Sequence, residues 1–131
     1  MDIEYIPGDL VSVYVGVKKY IVEVIGTENE NEALLYQIKF PNGEIQYADK
    51  DNIVPIPFTP EILEKNGWKN YCYGLLYRSP NEEGAVVGLS SQTGYVWKAY
   101  IGGRLLRSNI NSVSDLQHLL FGLGLNSEME V

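Results

Sequence analysis

One cysteine, Cys72, and one histidine, His118, are all that this 131-residue chain holds of the side chains most used in redox and transition-metal chemistry. A lone cysteine excludes an intramolecular disulfide and a multi-cysteine zinc site. Its neighbours Tyr71 and Tyr73 supply no cation to lower the thiol pKa, so Cys72 reads as inert. A lone histidine with only Asp115 near it in sequence falls short of a metal-ligand set, and no motif places a nucleophile beside it. Long apolar runs are missing too. None approaches the ~20 residues that span a bilayer, and the opening MDIEYIPGDL has neither a basic nor an apolar leader segment. No membrane is expected, and the cytoplasm is the expected compartment. Phosphate cradles are also absent. Gly122-Leu123-Gly124 follows a helix, at the end that repels anions, and Gly102-Gly103 reads as a hairpin turn. No cofactor, no metal and no catalytic residue is expected. The acidic clusters Glu28/Glu30/Glu32, Asp49/Asp51 and Glu82/Glu83 lie in loops or turns, where carboxylates stay solvated and do not become general acids.

Positive charge is the next shortage. Ten basic residues face 17 acidic ones, for a net charge of −7. Residues 1–57 hold ten acids and four bases, and residues 58–131 hold seven and six, so the halves carry −6 and −1. Such a chain repels a phosphate backbone, and nucleic acid is an unlikely partner. The near-neutral second half retains one small basic cluster, Lys98, Tyr100 and Arg107, with Arg78 beside it. Lys98 and Arg107 are expected to face each other across a hairpin.

What is present is β-forming sequence. Ten tyrosines and 13 glycines favour strands and tight turns. Strands are expected at 9–15, 19–25, 34–40, 45–47 and 51–56. TENENE (27–32) reads as a solvated loop, and Asn42-Gly43 as a two-residue hairpin turn. Alternation puts Tyr36 and Ile38 on a core face and assigns Tyr47 and Ile45 likewise, while Tyr14 and Tyr20 flank the first hairpin in the open.

The junction PIPFTPEILEKNGW predicts a short helix over 60–66, with Thr59 as N-cap, Pro60 in the first turn, a Phe58–Leu63 staple and Asn66-Gly67 as the stop. Four strands follow, at 71–77, 85–90, 95–101 and 104–110. The last two are joined at Gly102-Gly103. Ser112 and Asp115 form a capping box for a C-terminal helix with an apolar stripe of Val113, Leu116, Leu119, Leu120 and Leu123. That stripe should pack on the sheet face carrying Tyr71, Tyr73 and Trp97, or on the opposite one. NSEMEV reads as a frayed tail.

The expected fold class is therefore α+β. A small β-barrel at 1–56 is followed by a 57–131 module of one short helix, an antiparallel four-stranded sheet and a C-terminal helix. GDLVSV, YIVEVIG, YQIKFPNGEIQY and DNIVPI resemble, in that order, an SH3-like barrel of the Tudor or KOW type. IPFTPEILEKNGW, IGGRL and SVSDLQHLLFGLGL resemble a family of short uncharacterised proteins of Bacteroidales genomes, phages and mobile elements. In that family leucine is usual where Phe58 stands here. The resemblance implies a bacterial or phage source and carries over no activity or site.

On this evidence the chain reads as a non-enzymatic interaction module. It would meet a protein partner, or itself, through the outer side of the last helix at Gln117, His118 and Phe121. Phe121 is the informative residue, being an aromatic off the leucine stripe. The alternative is a nucleic-acid-binding regulator using Lys98, Tyr100 and Arg107.

Overall fold

The computed structural model describes residues 5–30, 33–57, 59–71, 76–80, 86–93 and 96–131. Among these residues the fold is α+β, built from antiparallel sheets and two helices. In the first half, β1 (Leu10–Val15), β2 (Lys18–Glu30), β3 (Ala33–Lys39), β4 (Ile45–Asp49) and β5 (Ile53–Pro55) form one sheet of order β4-β3-β2-β1-β5, with a 3-10 turn at Lys50–Asn52 before β5. The pairing leaves β4 and β5 as edges, so the ladder is not closed into a barrel. Alternation along the strands gathers Val11, Val13, Val22, Val24, Tyr36, Ile38 and Ile53 into one core, with Tyr5 edge-on to Tyr36.

Three expectations for this half are corrected. The stretch 27–30 is strand, because β2 runs on past a register shift at Val24–Gly26 and Thr27 to Glu30 pair with Tyr36 to Ala33. The β3–β4 turn has three residues, since Phe40 N–H donates to the Glu44 carbonyl at 2.8 Å and Gly43 takes the left-handed conformation at φ 90°. Ile45 and Tyr47 are exposed on edge strand β4, because Gln46 and Ala48 are the residues in register with core residues Ile38 and Tyr36.

In the second half, α1 (Pro60–Lys65) starts where expected, with Ile62 N–H donating to Thr59 Oγ1 at 3.3 Å. Phe58, of the expected staple, lies outside the described residues, as do Cys72 and Tyr73. Among the described residues the sheet has five strands, not four. They are β6 (Lys69–Asn70), β7 (Leu76–Arg78), β8 (Val87–Ser90), β9 (Trp97–Ile101) and β10 (Arg104–Ile110), in the order β10-β9-β8-β7-β6. Gly67, at φ 85°, turns the chain after α1 so that Lys69 and Asn70 pair at once with Arg78 and Tyr77.

Helix α2 (Val113–Gly122) is capped by Ser112, whose hydroxyl accepts from Asp115 N–H at 3.1 Å. Its Val113, Leu116 and Leu120 are buried with Leu63, Tyr77, Leu89, Trp97, Ala99 and Ile110. The helix thus covers the Tyr77–Trp97 face, and Tyr71 stands exposed. Ile56 is buried in this second core and Leu10 packs against it, so residues of the first half help to build it.

The tail is docked and not frayed. Met129 and Val131 pack on the second core, and the Asn66 amide both donates to the Glu130 carbonyl and accepts from Glu130 N–H, each at 2.8 Å. Two apolar side chains, Met129 and Val131, and the backbone-pairing amide of Asn66 supply the anchor that its acidic composition hid.

Candidate functional site

Helix α2 lies against the turn that leads into β1, and this contact takes up two of its three expected partner-binding residues. Gln117, expected on the outside, is only 3% exposed. Its Oε1 accepts from Leu10 N–H at 2.8 Å, and its Nε2 donates to the carbonyls of Gly8 (2.9 Å) and Ser127 (3.1 Å). The physical reason is the backbone of the 8–10 turn, whose polar groups would be stranded against the helix without a side-chain amide. His118 is partly exposed, and its Nε2 meets Asp9 Oδ2 at 2.5 Å. Phe121 stays in the open at 66% exposure, with Leu123 half-exposed beyond it.

Asp9 is the group that sequence reading missed. It is 2% exposed, its carboxylate accepts from Ile6 N–H at 2.9 Å, and it lies 109 positions from His118. Burial pushes its pKa above the ordinary 3.8, against the opposing pull of the Ile6 N–H and of His118. Asp115 adds a second, smaller upward push. The imidazole borders a cleft of about 360 Å³ lined by residues that include Tyr5, Arg107, Ser114 and Asp115.

A serine-based relay would need a hydroxyl on the ring. Among the described residues the ring's hydrogen-bond partner is Asp9, while the Ser114 hydroxyl, itself buried, pairs with Ser112 Oγ at 3.2 Å. Among the described residues no three His, Cys, Asp or Glu are placed to hold a metal. The bonds of Gln117 to Leu10 and Gly8 and of His118 to Asp9 brace α2 against the turn into β1. The only sequence hint of Asp9 was its place after Pro7-Gly8, a turn signal and not a chemical one.

The basic cluster is also rearranged. Tyr100 pairs with Leu105 as the Gly102-Gly103 turn requires, but register shifts in β10 then put Arg107 opposite Ala99 and not opposite Lys98. Asn109, at φ 63°, lies within that irregular stretch. Arg107 points away from Lys98 and meets Asp115 Oδ1 at 3.5 Å. Lys98 and Tyr100 remain together on the sheet face opposite α2, joined there by Arg78, whose guanidinium lies 4.4 Å over the Tyr71 ring.

No protein-family model matches the chain, and neither a curated protein nor a solved structure matches it. Among the described residues no helix is long and apolar enough to cross a membrane.

Proposed function

We propose that this chain is a non-enzymatic protein-interaction module that docks a protein partner, or a second copy of itself, through Phe121 on α2. The observation that carries the reading is the 66% exposure of Phe121 on a helix held in place by Gln117 and His118. A large aromatic fixed on a rigid helix offers contact area with little conformational entropy to lose. The His118–Asp9 pair serves the brace, which favours a binding role over chemistry.

The finer architecture belongs to the same proposal. The first sheet is read as an open version of the SH3-like fold of the Tudor or KOW type, a reading supported by the order β4-β3-β2-β1-β5 and the 3-10 turn before β5. A cytoplasmic setting in a bacterium, phage or mobile element completes it.

The test uses the full chain as bait in host lysate beside Phe121→Glu, with a thermal melt of each and sedimentation of each alone. The expected result is a protein partner, or a concentration-dependent dimer, lost in a variant that melts like the parent. A variant that unfolds assigns Phe121 to the core, and a variant that retains every partner removes the helix edge from the interface. Either result overturns the reading.

A further inference from the structure

The face of the second sheet turned away from α2 carries a row that runs across all five strands. Register places Lys69 opposite Arg78, Arg78 opposite Gly88, Gly88 opposite Tyr100 and Tyr100 opposite Leu105. The next row holds Leu76, Ser90 and Lys98. Lys69 and Arg78 are like charges directly opposed, an arrangement that destabilises a sheet unless an anion sits over it. None of Lys69, Arg78 and Lys98 is ion-paired with a described carboxylate. Gly88 contributes no side chain next to Tyr100, so the flank of that ring lies open. Two depressions, of about 470 and 240 Å³, meet at Ser90 and Tyr100, with Arg78 lining the first and Lys98 the second.

We propose that this face binds single-stranded nucleic acid, with a base stacked on Tyr100 and phosphates held by Lys98 on one side and Arg78 on the other. An acidic peptide would satisfy the cations but would leave the open ring flank unused. A base has a flat π-face for it, and a sequence-tolerant stacking site flanked by cations is how single strands are held. The overall charge of −7 does not forbid this, because residues 1–57 carry −6 of it and the site belongs to the other half. It does confine binding to low or moderate ionic strength. The proposal stands apart from the docking at Phe121.

The test is fluorescence anisotropy of the full chain with a labelled short oligouridylate and its deoxythymidine counterpart, with polyglutamate as competitor. Two phosphate contacts, at Lys98 and Arg78, of about −0.7 each give a log–log salt slope near −1.4, so a fourfold rise in salt should weaken binding about sevenfold. Tyr100→Ala should weaken it about tenfold, the loss of one stacked base. Lys98→Glu should abolish it. Gly88→Val tests the open flank without touching charge. A Cβ there would lie 3.9 Å from the Tyr100 carbonyl oxygen, so the backbone tolerates it while the side chain fills the space, and binding should fall as far as in Tyr100→Ala.

No binding at low salt overturns the proposal. So does binding that survives Tyr100→Ala and Gly88→Val but is lost with Lys98→Glu or displaced by polyglutamate, which would make the face a site for an acidic protein. Because Lys98 is exposed and Gly88→Val adds β-propensity, these variants fold even if Tyr100→Ala does not.

Discussion

Replacing Asp9 by asparagine should make the protein more stable at neutral pH, although it removes the anionic partner of the only histidine. Asp9 is 2% exposed and burial holds its pKa above 3.8. In the unfolded chain it titrates near 3.8, so in the window above that value the native state keeps a proton that the unfolded state has lost. Stability then falls as pH rises through the window, and the loss is complete once pH passes the native pKa. Each unit by which the native value exceeds 3.8 corresponds to about 1.4 kcal/mol.

Asparagine with its oxygen at the Oδ2 position accepts from both Ile6 N–H and His118 Nε2–H, the two groups that Oδ2 itself meets, so the turn survives without the buried charge. Aspartate and asparagine variants should have similar stability below about pH 4, where both side chains are neutral, and the asparagine form should gain steadily toward neutrality. Urea denaturation across that range, with a common m-value, measures the difference directly. If asparagine is instead the less stable form at neutral pH by about 1 kcal/mol or more, His118 holds the carboxylate ionised and burial does not dominate. His118→Ala refines the result. In the parent it strands a buried carboxylate and should cost about 2–3 kcal/mol, below the range for fully buried pairs because the ring is partly exposed. In the Asp9→Asn background it should cost less, the difference being the coupling.

Gln117→Leu, a near-isosteric exchange, should cost about 2–4 kcal/mol because Leu10 N–H and the Gly8 carbonyl lose their partners; a cost below about half a kcal/mol would mean that water takes the amide's place. Asn66→Ala should release the tail, seen as faster amide exchange at Glu130 and earlier proteolytic clipping after α2, with about 1 kcal/mol of stability lost. Unchanged exchange at Glu130 would show that Met129 and Val131 hold the tail alone.

Local chemistry was legible in the sequence, and long-range placement was not. Thr59 and Ser112 cap their helices because a cap needs only a side chain three residues from an orphan N–H. Tyr36 was readable as core from alternation, but the same rule failed at Tyr47: period two says which residues share a face, and only the partner strand says which face is buried. Counting outward from the Gly102-Gly103 turn opposes Lys98 to Arg107, and the register shifts in β10 break that pairing. Gln117 and Asp9 were invisible for one shared reason. A polar residue reads as surface unless the groups that satisfy it are known, and the contacts that tie these two across the fold, to Leu10, Gly8 and His118, lie more than a hundred positions away.

The brace also decides how the two proposed surfaces relate. Helix α2 is held at its first turn by Val113 N–H donating to the Ile56 carbonyl at 2.7 Å and in its middle by Gln117 and His118. It cannot rotate without breaking both, so Phe121 is presented in one orientation to whatever docks there. The helix packs on the sheet face of Trp97 and Ala99, and Lys98 and Tyr100 alternate to the other face of the same strand. A ligand over Tyr100 and a partner at Phe121 would lie on opposite sides of one sheet. Neither would displace the other, and the loss of one binding activity in a variant would say nothing against the other.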